Sequence, residues 1–176
     1  SELMKAYIRR IREIQPEANI IFVDFFDLKY EGLKEYHALY DYIESHYAAG
    51  KQNYVFVDEV QLCEKFELAI NSLHTSRKYD LYITGSNAFL LSSDLTTLFT
   101  GRYIEIHVFP FSFAEFCRYY ADEQDTAKLF DDYVIKGGMA GSYEYRTERD
   151  RTNYIRDVHD TIINRNLVTK YHLPDT

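Results

Sequence analysis

Residues 54–59 constrain the fold more than any other stretch, because the run Tyr-Val-Phe-Val leads directly into two acids, Asp58 and Glu59. A short, unbroken apolar run rich in β-branched and aromatic residues is typical of a strand buried on both faces of a parallel sheet. The carboxyl end of such a strand is where an open α/β sheet presents ligand-binding groups. An ordinary buried strand that ends in a polar turn would have the same pattern, so the neighbouring segments must decide between the two interpretations.

Helices and strands are predicted to alternate through the first two thirds of the chain. Strands are predicted at about residues 19–24, 54–59, 80–84 and 103–108. Helices are predicted at about residues 2–14, 33–49, 64–76 and 88–99. Alternation at a spacing of about 25–30 residues is the signature of right-handed βαβ units, and it predicts a parallel sheet.

The pattern changes after Pro110, where only helical periodicity is found. Helices are predicted at about residues 112–121, 126–136 and 148–171. The chain is therefore expected to form an α/β core over residues 1–110 and a small helical domain over residues 111–176. The glycines between residues 137 and 141 most simply allow the chain to turn between two of these helices.

Composition, charge and cysteine content indicate which classes of protein the chain can belong to. The chain has 176 residues, 46% of them hydrophobic and 27% charged, with a net charge of -8, which disfavours the whole chain as a nucleic-acid binder. Two widely separated cysteines, Cys63 and Cys117, form neither a disulfide framework nor a metal-ligand spacing. With no apolar run long enough to span a membrane, we expect a cytoplasmic protein with no membrane partner.

Polar groups follow several of the predicted strands and helices. Asp58 could hold Mg²⁺, directly or through water, and Glu59 could polarise the water that attacks a γ-phosphate. Ser86 or Asn87, after the next strand, could bind that phosphate or the water, and Arg102 could offer a bidentate fork to phosphate oxygens. This arrangement favours a nucleotide hydrolase over an ordinary strand end.

Four motifs in this order resemble a prokaryotic AAA+-type ATPase family, whose members join a P-loop NTPase core to a C-terminal domain of unknown function. The motifs are Phe-Val-Asp-Glu-Val-Gln at 56–61, Thr-Gly-Ser-Asn at 84–87, Gly-Arg-Tyr at 101–103, and Phe-Pro-Phe-Ser-Phe-Ala-Glu-Phe at 109–116. A Gly-Gly-Met stretch at 137–139 resembles a further family segment, although the expected proline is absent. The resemblance covers about residues 19–171 and implies an AAA+-like core followed by a helical lid.

The resemblance also implies roles for individual residues. Asp58 and Glu59 correspond to the Walker B acids, and Ser86, with Asn87 as the alternate, corresponds to the sensor-1 residue. Arg102 corresponds in place to an arginine finger acting on the ATP of a neighbouring subunit. It could instead be a helix C-terminal cation that pairs with Glu105 or a carbonyl. The implied cofactors are ATP and Mg²⁺.

The chain departs from the family at the Walker A loop, because no Gly-x-x-x-x-Gly-Lys-Ser/Thr sequence occurs. Its opening residues, Ser-Glu-Leu-Met-Lys, resemble the start of the helix that follows this loop, so Ser1 could be the Mg²⁺-binding hydroxyl. We therefore expect the first strand and the loop to be missing, and the chain alone to bind ATP poorly. We expect the C-terminal side to be truncated as well.

Two other functions remain open at this point. A non-catalytic NTPase-like interaction or regulatory module would keep the fold without turnover. A nuclease is the more remote alternative, because Asp24 followed by Asp27-Leu28-Lys29 faintly resembles a metal-binding acid and an acid-x-Lys pair. The protein could form a homo-oligomer. Its missing C-terminal region could bind a DNA or protein target.

Overall fold

The computed structural model describes residues 1–85, 99, 103–123 and 125–163. The chain forms two compact units, Ser1–Tyr103 and Ile104–Thr176. The division predicted after Pro110 falls inside the second unit, and the assignment of the two parts as ATPase core and lid remains a prediction. None of the described helices combines the length and hydrophobicity needed to cross a membrane.

The first unit alternates helices and strands, as the sequence predicts. Its described elements are α1 (Glu2–Ile14), β1 (Asn19–Asp24), α2 (Tyr36–Ser45), β2 (Asn53–Asp58), α3 (Phe66–Ser76) and β3 (Asp80–Ile83). Short 3₁₀ helices at Leu28–Leu33 and Val60–Leu62 follow β1 and β2. The helix predicted over residues 33–49 is shorter at both ends. It begins at Tyr36, because the side chain of Glu35 caps it by accepting hydrogen bonds from the backbone N–H groups of His37 and Ala38, and it ends at Ser45.

The three strands form a parallel sheet with β2 in the middle, in the order β1-β2-β3. The register places Asp24 opposite Asp58 and Val57 opposite Ile83. Each carboxyl end therefore lies at the same edge of the sheet, which confirms the predicted α/β class with a parallel sheet.

Successive residues of β2 face opposite sides of the sheet, and all six are buried. Val55 and Val57 pack in the cluster that contains Leu39 of α2 and Leu73 of α3. Tyr54 and Phe56 pack on the other side, in the cluster formed with Met4, Ile8 and Ile11 of α1. This two-sided burial explains why β2 has a continuous apolar sequence instead of an alternating one.

The strand predicted at residues 103–108 is wrong. The three-stranded sheet includes none of these residues, and the stretch from Tyr103 to Pro110 has no regular secondary structure. Ile104 and Ile106 are 91% and 77% exposed. Their alternation with Glu105 and His107 has the period of a strand, but a strand also requires a partner backbone, which local sequence cannot supply.

The second unit is helical in its described residues, with α4 (Phe113–Tyr119), α5 (Thr126–Lys136) and α6 (Glu148–Ile163). Ser112 and Glu115 form a capping box at the start of α4, in which the side chain of each residue accepts a hydrogen bond from the backbone N–H of the other. Gly137 ends α5 with a φ of 67°. A Cβ atom at Gly138 would collide with the carbonyl oxygen of Phe111, so this turn requires glycine.

Replacement of Phe56 by alanine is expected to lower the free energy of unfolding by about 3–5 kcal/mol. The Phe56 side chain is fully buried and its ring stacks on Tyr82 at a centroid distance of 4.8 Å, so the variant would leave a cavity between the sheet and α1. Urea-induced unfolding measures the change. Leu28→Ala is the control, since Leu28 is 83% exposed and its replacement should change the stability by less than about 0.5 kcal/mol.

Candidate functional site at the carboxyl end of β2

Asp58 is the last residue of the central strand and is only 3% exposed. A buried carboxylate is costly unless both of its oxygens are paired. Oδ1 accepts a hydrogen bond from the hydroxyl of Thr84, and Oδ2 contacts the backbone nitrogen of Ser1. The acid is therefore held in one orientation between the residue that follows β3 and the start of α1.

Thr84 connects the two acids. Its Oγ1 donates to Asp58 and also accepts the backbone N–H of Glu59 at 3.3 Å. Its backbone continues the β2–β3 ladder beyond the strand end, because Thr84 N donates to Val57 O at 3.0 Å and Val60 N donates to Thr84 O at 2.9 Å. The hydroxyl is consequently held by the same hydrogen bonds that join the two strands.

Glu59 leaves the strand in the left-handed region, with φ 57° and ψ 48°. A non-glycine residue in this region carries a strain of roughly 1–3 kcal/mol, which the surrounding contacts must offset. The same conformation occurs at Lys65 and Arg77, which flank α3, so it is not by itself a functional signal. At Glu59 it turns the chain sharply from β2 into the 3₁₀ helix directly after the buried Asp58.

The carboxylate of Glu59 is also held. Gln61, in the 3₁₀ helix Val60–Leu62, donates from Nε2 to Glu59 Oε2 at 2.5 Å. Glu59 is half-buried, whereas Asp58 is buried. Two adjacent acids thus have different surroundings, one enclosed at the strand end and one accessible beside it.

Ser1 lies beside this pair because α1, which packs on one face of the sheet, begins there. Ser1 is the N-cap of α1, but its hydroxyl makes no capping hydrogen bond. The structure therefore brings Ser1 and Asp58 together, and their predicted roles as metal ligands remain predictions. The other predicted site residues, Ser86, Asn87 and Arg102, lie outside the described residues, and their roles remain predictions.

The acids invoked for a nuclease have local partners. Asp24 is in register with Asp58, but its Oδ1 accepts the backbone N–H of Phe26 at 3.1 Å. Asp27 accepts the backbone N–H of Lys29 and pairs with its ammonium group at 3.3 Å in an exposed turn. Both acids thus stabilise the turn after β1, and the geometry does not favour the nuclease.

The residues at the end of β2 offer few metal ligands, which suits a Mg²⁺ ion that takes most of its ligands from phosphate and water. Within residues 1–85, 99, 103–123 and 125–163, no group of three or more His, Cys, Asp or Glu could hold a metal ion. Mg²⁺ commonly needs only one or two carboxylates, with phosphate and water supplying its other oxygens. Asp58 with the hydroxyl of Ser1 has this oxygen-only chemistry, so the residues fit the expected cofactor.

Cys63, by contrast, has the environment of a packing residue. It is 2% exposed, and burial raises the pKa of its thiol to about 12, with the nearby carboxylate of Glu35 acting in the same direction. Both Cys63 and Cys117 are free thiols. A thiol that remains protonated at neutral pH is a poor nucleophile, so Cys63 does not compete with the acids as a reactive group.

Comparison with known proteins shows the family of this chain. A family model described as an AAA domain matches residues 1–117. The chain belongs to the AAA domain family. No solved structure matches the chain significantly.

Two relatives of this AAA domain are both described as uncharacterized proteins. One, from Haemophilus influenzae, is 31% identical over 164 residues, which cover 90% of this chain and 40% of the relative. The other, MJ1544 from Methanocaldococcus jannaschii, is 22% identical over 129 residues, which cover 68% of this chain and 29% of the relative. The chain therefore spans less than half the length of the relatives it matches.

Neither Thr84 nor Gln61 has a role predicted from the sequence. Thr84 lies in the motif at 84–87 and Gln61 in the motif at 56–61, but polar side chains just after a strand are too common for residue type alone to assign them a role. Thr84 becomes significant only because the β2–β3 register places its hydroxyl against Asp58. Gln61 becomes significant only because the left-handed turn at Glu59 brings two side chains of the AAA domain together.

Replacement of Thr84 by valine is expected to destabilise the protein by about 1–3 kcal/mol, because it removes the donor to a buried carboxylate oxygen while conserving the shape of the side chain. Chemical denaturation measures the loss. Thr75→Val is the matched control, since the Thr75 hydroxyl bonds only an exposed helical carbonyl at 2.8 Å. Equal effects of the two substitutions would contradict a special role for the Thr84–Asp58 bond.

Proposed function

We propose that the full-length protein binds ATP together with Mg²⁺ and hydrolyses it at the carboxyl end of β2. The observation that carries this proposal is the convergence of Ser1 and Thr84 on the buried carboxylate of Asp58, with Glu59 directly beside it. The match to the AAA domain family supports the nucleotide as the ligand. The parallel sheet supports the location, since ligands of open α/β sheets bind beyond the carboxyl ends of the strands.

The two acids have separate roles in this proposal. Asp58, together with the Ser1 hydroxyl, would hold the metal, directly or through water. Bound Mg²⁺ would neutralise charge on the phosphate oxygens. Glu59 would accept a hydrogen bond from the attacking water, orient it and take up its proton. The enclosed position of Asp58 and the half-buried position of Glu59 support this division of labour.

Further residues complete the proposal from the sequence resemblance. Ser86 or Asn87 would bind the γ-phosphate or the water, and Arg102 would act as an arginine finger in a homo-oligomer. The 176 residues contain no Walker A loop, and we propose that another part of the full-length protein supplies it. The tests below therefore use the full-length protein. A cytoplasmic location and a DNA or protein target remain predictions.

Replacement of Glu59 by glutamine is expected to lower kcat for ATP hydrolysis by about 10²–10⁴-fold, because the amide cannot accept a proton from water. The affinity for ATP should stay within about threefold of the unaltered protein. Phosphate release measures turnover, and equilibrium binding of ATP measures affinity. Glu13→Gln is the matched control, because Glu13 is exposed and pairs only with Arg10 on α1.

The same experiment separates the two candidate functions. Binding of ATP with no hydrolysis by the unaltered protein would favour the non-catalytic module. Hydrolysis that Glu59→Gln leaves unchanged would show that Glu59 is not the base.

Replacement of Asp58 by asparagine is expected to raise the Mg²⁺ concentration required for half-maximal hydrolysis at least about tenfold, since a neutral amide is a weaker ligand for a hard cation. Titration of Mg²⁺ at saturating ATP measures the change. Asp41→Asn serves as the control, because Asp41 lies exposed on α2. An unchanged Mg²⁺ requirement would remove Asp58 from the metal site.

A further inference from the structure

Gln61 makes a contact that burial alone does not explain. Its Nε2 donates to Glu59 Oε2 at 2.5 Å, across the sharp turn at the start of the 3₁₀ helix. Its other polar atom, Oε1, is buried and has no hydrogen-bond partner among the described residues. The amide nitrogen therefore has an acceptor, whereas the amide oxygen has no donor among the described residues.

The unsatisfied oxygen indicates what orients the side chain. A buried carbonyl oxygen without a donor carries a free-energy penalty. Turning the amide over would place Oε1 against the negatively charged Glu59 oxygen, which also has no hydrogen to donate. The amide is thus oriented by Glu59, although this orientation leaves Oε1 without a donor among the residues that the structure describes.

We infer that Gln61 is a positioning residue for Glu59: its amide holds the Glu59 carboxylate in one orientation beside Asp58, so that the base faces the attacking water. The inference rests on the proposed function, since it assigns Gln61 a role in the same hydrolysis. Three elements act on Glu59 together. Its left-handed backbone sets the direction of the side chain, the hydroxyl of Thr84 holds its backbone N–H, and Gln61 holds its carboxylate.

A fixed carboxylate matters because a glutamate side chain has several rotatable bonds. A base that visits many orientations spends little time within hydrogen-bonding reach of the water, and misplacement by about 1 Å costs as much as about 10²-fold in rate. Binding of ATP does not require Glu59 to be oriented. The loss of Gln61 should therefore appear in kcat and not in KM.

The test is Gln61→Met in the full-length protein, because methionine conserves length and volume but donates no hydrogen bond. We expect kcat for ATP hydrolysis to fall by roughly 10–100-fold, while KM for ATP stays within about twofold. The thermal unfolding temperature should stay the same or rise, since the substitution removes a buried oxygen that has no donor among the described residues. Water can replace the lost donor at the carboxylate of Glu59, which is only half-buried, unlike that of Asp58. A clear fall in that temperature would assign Gln61 a structural role and overturn the inference.

Gln52→Met is the matched control. Gln52 donates from Nε2 to a carboxylate oxygen of Asp80 at 2.8 Å, which is the same type of contact, but it lies at the opposite end of the strands. Its replacement should leave kcat and KM unchanged. An equal fall in kcat for both variants would overturn the inference, since the effect would then not be specific to Glu59.

A double variant decides whether Gln61 acts through Glu59. When Glu59 is already glutamine, Gln61→Met should cause no further loss of turnover, because residues that act as one unit are not additive. A full additional loss would overturn the inference. An unchanged kcat in the Gln61→Met single variant would also overturn the inference. If Glu59→Gln abolishes hydrolysis in the same experiment, the proposed function would still stand.

Failure of the proposed function itself can be distinguished from failure of the inference about Gln61. If the unaltered protein does not hydrolyse ATP, or if Glu59→Gln hydrolyses it normally, the proposed function fails and the role of Gln61 fails with it.

Discussion

The buried carboxylate of Asp58 is the constraint on which the rest of the site depends. A charge at this depth would shift the folding equilibrium strongly against the native state if either oxygen were unpaired. Its partners come from two other segments, the hydroxyl of Thr84 after β3 and the backbone nitrogen of Ser1 at the start of α1. Satisfying one acid therefore brings together the end of the central strand, its neighbour and the first helix.

The same constraint accounts for the contrast between the two acids. Asp58 is the last residue of β2 and remains enclosed by the layers on both faces of the sheet. Glu59 turns away through a left-handed conformation, and its backbone N–H is held by the hydroxyl that also serves Asp58. The hydroxyl of Thr84 thus contacts both the side chain of the buried Asp58 and the backbone of the accessible Glu59.

Much of the first unit could be predicted because its signals are local. The apolar run of β2 predicts a strand buried on both faces, and Phe56 packs towards α1 while Val57 packs towards α2 and α3. The order of strands and helices predicts a parallel sheet, which the structure confirms. The stretch 103–108 shows the limit, because its alternation has the period of a strand while its residues pair with no strand of the described sheet.

The sequence by itself determined the described helices and strands of residues 1–83, the parallel sheet and the position of two acids at a strand end, since these depend on periodicity and on neighbours along the chain. Only the tertiary structure decided that Thr84 and Ser1 are the partners of Asp58, and that Gln61 holds Glu59. Such contacts depend on strand register, on a left-handed turn and on where α1 begins relative to the sheet. Each is set by packing between distant segments, and no local pattern of residues encodes it.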